Sequence, residues 1–338
     1  MTKLRDVAKL AKVSTATVSR VLSNAGNVTE KTRRKVLAAM EDLNYQPNFL
    51  GRQLRKMETK TILVVVPDIA NTFFSKVLRG IESVANKNGY QVLMGDSQNK
   101  SENESEYLNH LRYKQVDGVI LLTARTTPHL VEELSDSYPI VLACEYLEGS
   151  NIPTVSIDNI SSARKITSHL IKLGHHRIAH IAGPKNVILG RDRLKGFEQA
   201  LAQNNLEIDQ ILIQEGDFTY ESGYRLMKKL LALQNPPTAV FAANDEMAIG
   251  AIKAIKHCQL SVPEDIAVVG FDDIQMASIF EPELTTVAQP TFEIGSTAMA
   301  LLLSLMKKEK LNMKQFVLEE QMIVRESCGA KSNVIDSS

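Results

Sequence analysis

The 338-residue sequence predicts two kinds of fold in one chain: a small all-α head, then a two-lobed α/β body built on two parallel sheets with helices on both faces. Three observations predict this. The length exceeds what one ordinary core absorbs, and 44% hydrophobic residues support several packed units. Apolar residues recur at helical spacing to about residue 45, then change from Thr61 onward to short strand-like runs alternating with amphipathic stretches. The charge is divided as well. The whole chain carries 39 Lys and Arg against 39 Asp and Glu, yet residues 1–60 hold 13 against 5, which leaves 26 against 34 for the rest. A head of net +8 on a body of net −8 points to a polyanionic partner for the head.

Taken in order, Asp6 to Ala11 places Val7, Leu10 and Ala11 on one helical face, and "KVS" turns the chain. The next stretch, "VSTATVSRVL", is rich in Val, Thr and Ser, whose propensities argue for a strand. Its apolar spacing argues otherwise, because Val18, Val21 and Leu22 fall at i, i+3 and i+4, and Ser14 stands where it can cap a helix. "LSNAGNV" is a loop, Thr29 an N-cap, and a third helix runs from Glu30 to about Leu43 until Pro47 ends the pattern. Asn48 can cap the short segment "FLGRQLR", which is too brief, and too weakened by Gly51, to hold a helix alone.

In the body, "TILVVVP", "YQVLMGD", "DGVILLT", "PIVLACEY" and "TVSID" read as strands, with helices at "FFSKVLRGIESVANKNG" and "SENESEYLNHLRYKQ". A second series, "RIAHIAGP", "ILIQEGD", "TAVFAAND" and "IAVVGFDD", alternates with helices near 191–205, 220–233 and 246–257. The expected division is a head at 1–46 and a linker at 47–60. A first lobe takes 61–158 plus 291–315, a second takes 159–290 plus 316–330, and 331–338 forms a disordered tail.

A helix, a tight turn and a second helix inside a segment of net +8 is the pattern of a DNA reader. The second helix of such a motif enters the major groove, where small residues admit it and bulky ones hold it out. Thr15, Ala16 and Thr17 can meet a thymine methyl, and Arg20 can reach guanine O6 and N7 with its fork. Ser19 is a phosphate contact or a surface hydroxyl. Lys31, Arg33, Arg34 and Lys35 serve phosphates or form a solvated face.

The motifs "DVAKLAKVSTATVSRVLSN", "VTEKTRRKVLAAMEDLNYQPN" and "GRQLR", with the two-lobed body behind them, resemble the lactose and purine repressor family of bacterial transcription regulators along almost the whole chain. Through "TILVVVPDI", "GDFT" and "AQP" the match is closest to its cytidine-responsive branch. The resemblance implies a periplasmic-binding-protein-like body and a homodimer on a pseudo-palindromic operator. It also implies a hinge helix in "NFLGRQLR" that folds on DNA, with Asn48 at its start and Leu54 wedged into the minor groove, a kinking device that costs a few kcal/mol of unstacking. Residue by residue, it carries effector contacts onto Phe73, Phe74, Glu145, Arg193, Phe218, Asn244 and Asp272. Several of these end strands, where ligands of open parallel sheets bind. Relatives that bind a purine base place an arginine and a threonine where this chain has Val187 and Leu189, so a ligand with ribose-like hydroxyls, a nucleoside such as cytidine, is expected. A promoter shared with a second regulator, such as the cyclic-AMP receptor protein, is implied too.

Other classes fit poorly. No phosphate loop, dinucleotide fingerprint or nucleophile elbow occurs, and adjacent Asp272 and Asp273 on a strand would point apart, so no enzyme is expected. An exported solute-binding protein would need an apolar leader that "MTKLRDVAKLAKV" lacks, and no run approaches membrane-spanning length, so the expected location is the cytoplasm. Cys144, Cys258 and Cys328 are scattered and expected to be reduced. Neither a cofactor nor a metal is expected, since His176 and His180 lie too far apart along a strand to chelate.

Overall fold

The computed structural model describes residues 2–22, 28–45 and 58–330. It divides into two units, Met1–Thr59 and Lys60–Ser338. The first contains α1 (Leu4–Leu10), α2 (Thr15–Leu22) and α3 (Glu30–Asp42). Val7, Ala8, Val18, Val21, Val36 and Ala39 form its buried core. The strand-prone sequence of α2 stays helical because Val18 and Val21 anchor one face while Ser14 Oγ accepts from Thr17 N at 3.1 Å. Thr29 Oγ1 caps α3 in the same way, accepting from Thr32 N. Asn48, Gly51, Leu54 and the expected hinge fall outside the described residues, as does the expected tail.

The body begins with β1 (Thr61–Val66), α4 (Phe73–Lys87), β2 (Gln91–Asp96), α5 (Ser101–Arg112), β3 (Gly118–Leu121), α6 (Pro128–Ser135), β4 (Ile140–Ala143) and β5 (Thr154–Ile157). The second lobe follows with α7 (Asn159–Lys172), β6 (Ile178–Ala182), α8 (Ile188–Gln203), β7 (Ile213–Glu215), α9 (Tyr220–Leu231), β8 (Ala239–Ala242), α10 (Asp245–His257) and β9 (Ala267–Val269). The chain closes through β10 (Thr286–Ala288), α11 (Thr291–Met306), β11 (Gln315–Leu318) and β12 (Gln321–Ile323).

Two parallel sheets result, ordered β11-β5-β4-β3-β1-β2 and β7-β6-β8-β9, with β10 and β12 as an antiparallel ribbon. Strand β1, in register Val64↔Met94 with β2 and Val64↔Ile120 with β3, is apolar from Ile62 to Val66 because helices cover both faces of the sheet. Helix α4 lies against α11 at close range. A Cβ added at Gly80 would come within 2.2 Å of Phe292 O, and one at Gly295 within 2.0 Å of Val77 O.

Two differences from expectation stand out. The stretch expected to join the second lobe from residue 316 first completes the first sheet, pairing Phe316↔Val155 and Leu318↔Ile157, so the chain leaves that lobe after Leu318. Backbone pairing at a sheet edge decides this, and alternating polarity alone does not reveal it. Helices α6 and α7 occupy stretches that periodicity did not single out. The latter is rich in Ser and Thr, but Asp158 caps it by accepting from Ser161 N at 2.9 Å, and it packs on α8 where Gly196 leaves room.

Candidate functional site

On α2, Thr15, Ala16 and Arg20 are exposed, while Thr17 and Ser19 are half-buried. The Thr17 hydroxyl lies 2.9 Å from Ser14 Oγ, which ties it to the cap and leaves its methyl as its contact surface. Of the four cations on α3, Lys31, Arg34 and Lys35 are exposed, and Arg34 lies 3.5 Å from Glu30 one turn earlier.

In the body, polar side chains converge beyond the carboxyl ends of the strands. Arg193, on α8, is buried to 2% exposure, with Cζ over the Phe271 ring, 3.7 Å from its centroid. Its Nε donates to Asn159 Oδ1 at 3.0 Å, Nη1 to Ala243 O at 2.6 Å and Nη2 to Asp272 Oδ1 at 3.2 Å. Gln289 Nε2 donates to the same Asp272 oxygen at 2.7 Å. Burial pushes the Arg193 pKa down, against the pull of Asp272 and Asp245, and pushes that of Asp272 up, against Arg193. Desolvation therefore outweighs the ion pair on both sides.

Asp272 adopts φ 112°, where a side chain is strained, and Asp273 follows at φ 52°. Such a conformation costs on the order of 1–3 kcal/mol and persists only where its surroundings enforce it. Here Asp272 N donates to Val287 O at 2.8 Å, and the buried Asp245 clamps both flanks of the loop. Asp245 N donates to Phe271 O at 2.8 Å, while its carboxylate accepts from Ile274 N at 2.9 Å and Thr286 Oγ1 at 2.6 Å. The two adjacent aspartates do diverge, though not by strand alternation, since β9 ends at Val269. Asp273 turns to Arg325, 2.7 Å away.

The remaining predicted contacts are spread around this centre. Asn244 caps α10, accepting from Met247 N at 3.0 Å and donating to Phe218 O at 2.9 Å. Phe218, at φ 68°, lies over Gly183, where a Cβ would come within 2.2 Å of the ring. Phe73 and Phe74 open α4 as an edge-to-face pair 5.1 Å apart and are largely buried in the core. Glu145, after β4, accepts two bonds from Arg125, and its charge is felt by Arg193. Sequence reasoning missed Asn159, Gln289 and Arg125. Each is a polar residue just past a strand end, the one signal available for them. Glu246, half-buried at the start of α10, is pushed up to about 7 by burial and by Asp272, Asp68 and Glu221.

His180 lies in the core of the second lobe. It is buried between the Phe197 and Phe241 rings, 4.9 and 4.6 Å away, with Nδ1 2.9 Å from Phe241 O. Among the described residues, no group of three or more His, Cys, Asp or Glu is arranged to hold a metal ion, and no helix is long and apolar enough to cross a membrane.

A helix-turn-helix on a small core of its own, ahead of two parallel sheets whose strand ends share one buried polar network, is the architecture of a ligand-controlled DNA-binding regulator. The chain belongs to the lacI family of bacterial regulatory proteins. The model of that family's head matches residues 3–48, and a periplasmic binding protein-like domain matches residues 167–328. It is similar to the HTH-type transcriptional repressor CytR of Escherichia coli, 42% identical over 97% of this chain and 96% of that one. Catabolite control protein A of Priestia megaterium is 39% identical over 95% and 98% of the two chains. A crystal structure of the lac repressor dimer bound to operator superimposes with a TM-score of 0.87 at 32% identity, covering 97% and 99%. The chain is thus a DNA-binding transcriptional repressor of this family, whose members bind operator DNA and small effectors as dimers.

Proposed function

We propose that the chain is a homodimeric repressor that reads a pseudo-palindromic operator with one α2 per half-site and is released by a nucleoside, cytidine first, held between the lobes of its body. The observation that carries the ligand reading is the Arg193 network. A buried guanidinium is fanned between Asn159, Ala243 O and Asp272, and Asp272 is strained and shared with Gln289. Paired donors and acceptors of this kind suit the vicinal hydroxyls of a ribose, and the Phe73, Phe74 and Phe218 rings suit a sugar or base face. Glu145 and Asn244 complete the proposed contact set.

In the head, Thr15, Ala16, Thr17 and Arg20 read bases, Ser19 faces the backbone, and residues 47–60 form a hinge in which Asn48 caps and Leu54 wedges. The division into head 1–46, two lobes and tail belongs to the same proposal, with the first-lobe segment extended to Leu318. The cyclic-AMP receptor protein is a candidate companion at the promoter. A purine- or sugar-responsive repressor is the alternative. Val187 is buried at the start of α8 and Leu189 half-buried, so neither offers a purine base a polar edge.

Calorimetry on the full-length protein with cytidine, hypoxanthine and a simple hexose tests the reading, coupled to an operator gel shift. Cytidine is expected to bind most tightly and to weaken the DNA complex. Preferential binding of hypoxanthine or the hexose overturns the nucleoside reading, and tighter DNA binding with cytidine overturns its sign.

A further inference from the structure

Arg125 and Glu145 form the one closely paired guanidinium and carboxylate at the strand ends of the first lobe, among the described residues. Arg125 follows β3 and Glu145 follows β4, and these strands are neighbours in register Leu121↔Leu142. Nη1 donates to Oε2 at 2.6 Å and Nη2 to Oε1 at 2.8 Å, with the side chains 13% and 4% exposed. The arginine is held from behind. The carboxylate of Glu104, fully buried, accepts from Arg125 N at 3.0 and 3.1 Å and from Thr126 N at 3.0 Å, fixing the loop that presents the guanidinium. Burial lowers the Arg125 pKa, but its bonds to Glu145 and the charges of Glu145 and Glu104 more than offset this and raise it on balance. Even so, replacing a satisfied buried pair with well-packed apolar residues is often neutral for folding. Stability alone gives little reason for it.

The position gives a better one. Tyr146, next to Glu145, donates to Asp192, next to Arg193, at 2.9 Å, and the Glu145 charge acts on Arg193, so the pair borders the network proposed to hold a ribose. An end-on pairing uses two of the five guanidinium N–H groups and one lone pair on each carboxylate oxygen. Along its flank the pair therefore offers an N–H beside a carboxylate oxygen, a donor next to an acceptor. With the charges already matched, that flank suits a neutral heterocycle and not a phosphate or carboxylate.

We propose that Arg125 and Glu145 together read the edge of the effector's base, Arg125 donating to an unprotonated ring nitrogen and Glu145 accepting from an exocyclic amine. Cytosine presents this pair of groups at N3 and N4. Uracil reverses them, with N3–H and O4, and a ribose fixed at the Arg193 network prevents the ring from sliding to compensate. The inference rests on the nucleoside reading and adds the residues that select the base.

The test is calorimetric titration of the full-length protein with cytidine and with uridine, for the parent, Glu145→Gln and the double variant Arg125→Leu/Glu145→Leu, with thermal melts to verify folding. The parent is expected to prefer cytidine by at least about tenfold, because the wrong base leaves buried polar groups unpaired. Glu145→Gln, whose amide can turn its N–H₂ to O4, is expected to lose cytidine affinity by at least tenfold without losing uridine affinity. The charge-free double variant is expected to fold and to bind both nucleosides within threefold of each other. Equal affinities in the parent, or parallel losses for both nucleosides in the folded variants, overturn the proposal while leaving the nucleoside reading intact. If the folded parent binds neither, the nucleoside reading falls and this proposal with it.

Discussion

Arg193 and His180 show how one buried charge-bearing group can serve a site and another the core. Both sit in the second lobe and both are nearly or fully inaccessible, but Arg193 is met by a carboxylate, an amide and a carbonyl, whereas His180 is met by two phenyl rings and one carbonyl. Burial, with a smaller contribution from the charge of Arg193, lowers the His180 pKa to about 4. The folded protein thus holds this imidazole neutral at pH values where the unfolded chain, with an ordinary value near 6.5, takes up a proton. Its contribution to stability is complete above about 6.5 and is lost as pH falls toward 4, a change of roughly 3 kcal/mol over that window. Replacing His180→Leu should flatten this part of the acid response: urea midpoints at pH 7 and pH 4.5 should lie closer together than in the parent. An unchanged difference would mean that other groups set the acid sensitivity.

At the scale of elements, what matters is how closely helices approach. Gly80 on α4 and Gly295 on α11 face each other's backbones, and neither site admits a Cβ without displacing a carbonyl. The sequence of either helix does not reveal this, because the close approach exists only once both helices lie on the same sheet. Gly295→Ala improves helix propensity by about 1 kcal/mol, yet it should destabilise the protein by about 1–3 kcal/mol through overpacking. The two effects oppose each other, so the sign is diagnostic. A denaturation curve showing the variant more stable than the parent would refute the packing argument. The head follows other rules, since Ser14 and Thr29 cap its helices by local bonds that are visible in sequence spacing.

For the whole molecule, two properties follow from the separation of a basic head from an acidic body. Counterion release requires operator affinity to fall steeply with salt, by about 10³-fold or more between roughly 50 and 200 mM if each dimer neutralises six or more phosphates. A filter-binding series with a flat salt response would remove the electrostatic argument for the head. Ligand in the body and DNA at the head should also be reciprocal: whatever factor cytidine takes from operator affinity, operator must take from cytidine affinity, a coupling typically of 1–3 kcal/mol. With a ligand held at the Arg193 network as proposed, the strained Asp272 loop, tied to α10 through Asp245 and to the β10 crossover through Gln289 and Val287, would be the physical route by which it biases the lobes.

Local chemistry determined much of this in advance. Apolar periodicity located α2 and nearly every strand, cap residues marked helix starts, and uneven charge assigned the polyanion to the head, because each depends on neighbours a few residues apart. The same logic placed Asn244 and Asp272 at strand ends, where ligands of parallel sheets collect, whereas Arg193, inside a helix, was singled out only by the family resemblance. Only tertiary structure decided that Asp272 is strained, that Glu145 is already engaged by Arg125, that His180 is a core residue, and that Gln315–Leu318 extends the first sheet. Those outcomes arise from partners 15 to more than 150 residues away, and a contact of that kind has no signature in the spacing of either partner alone.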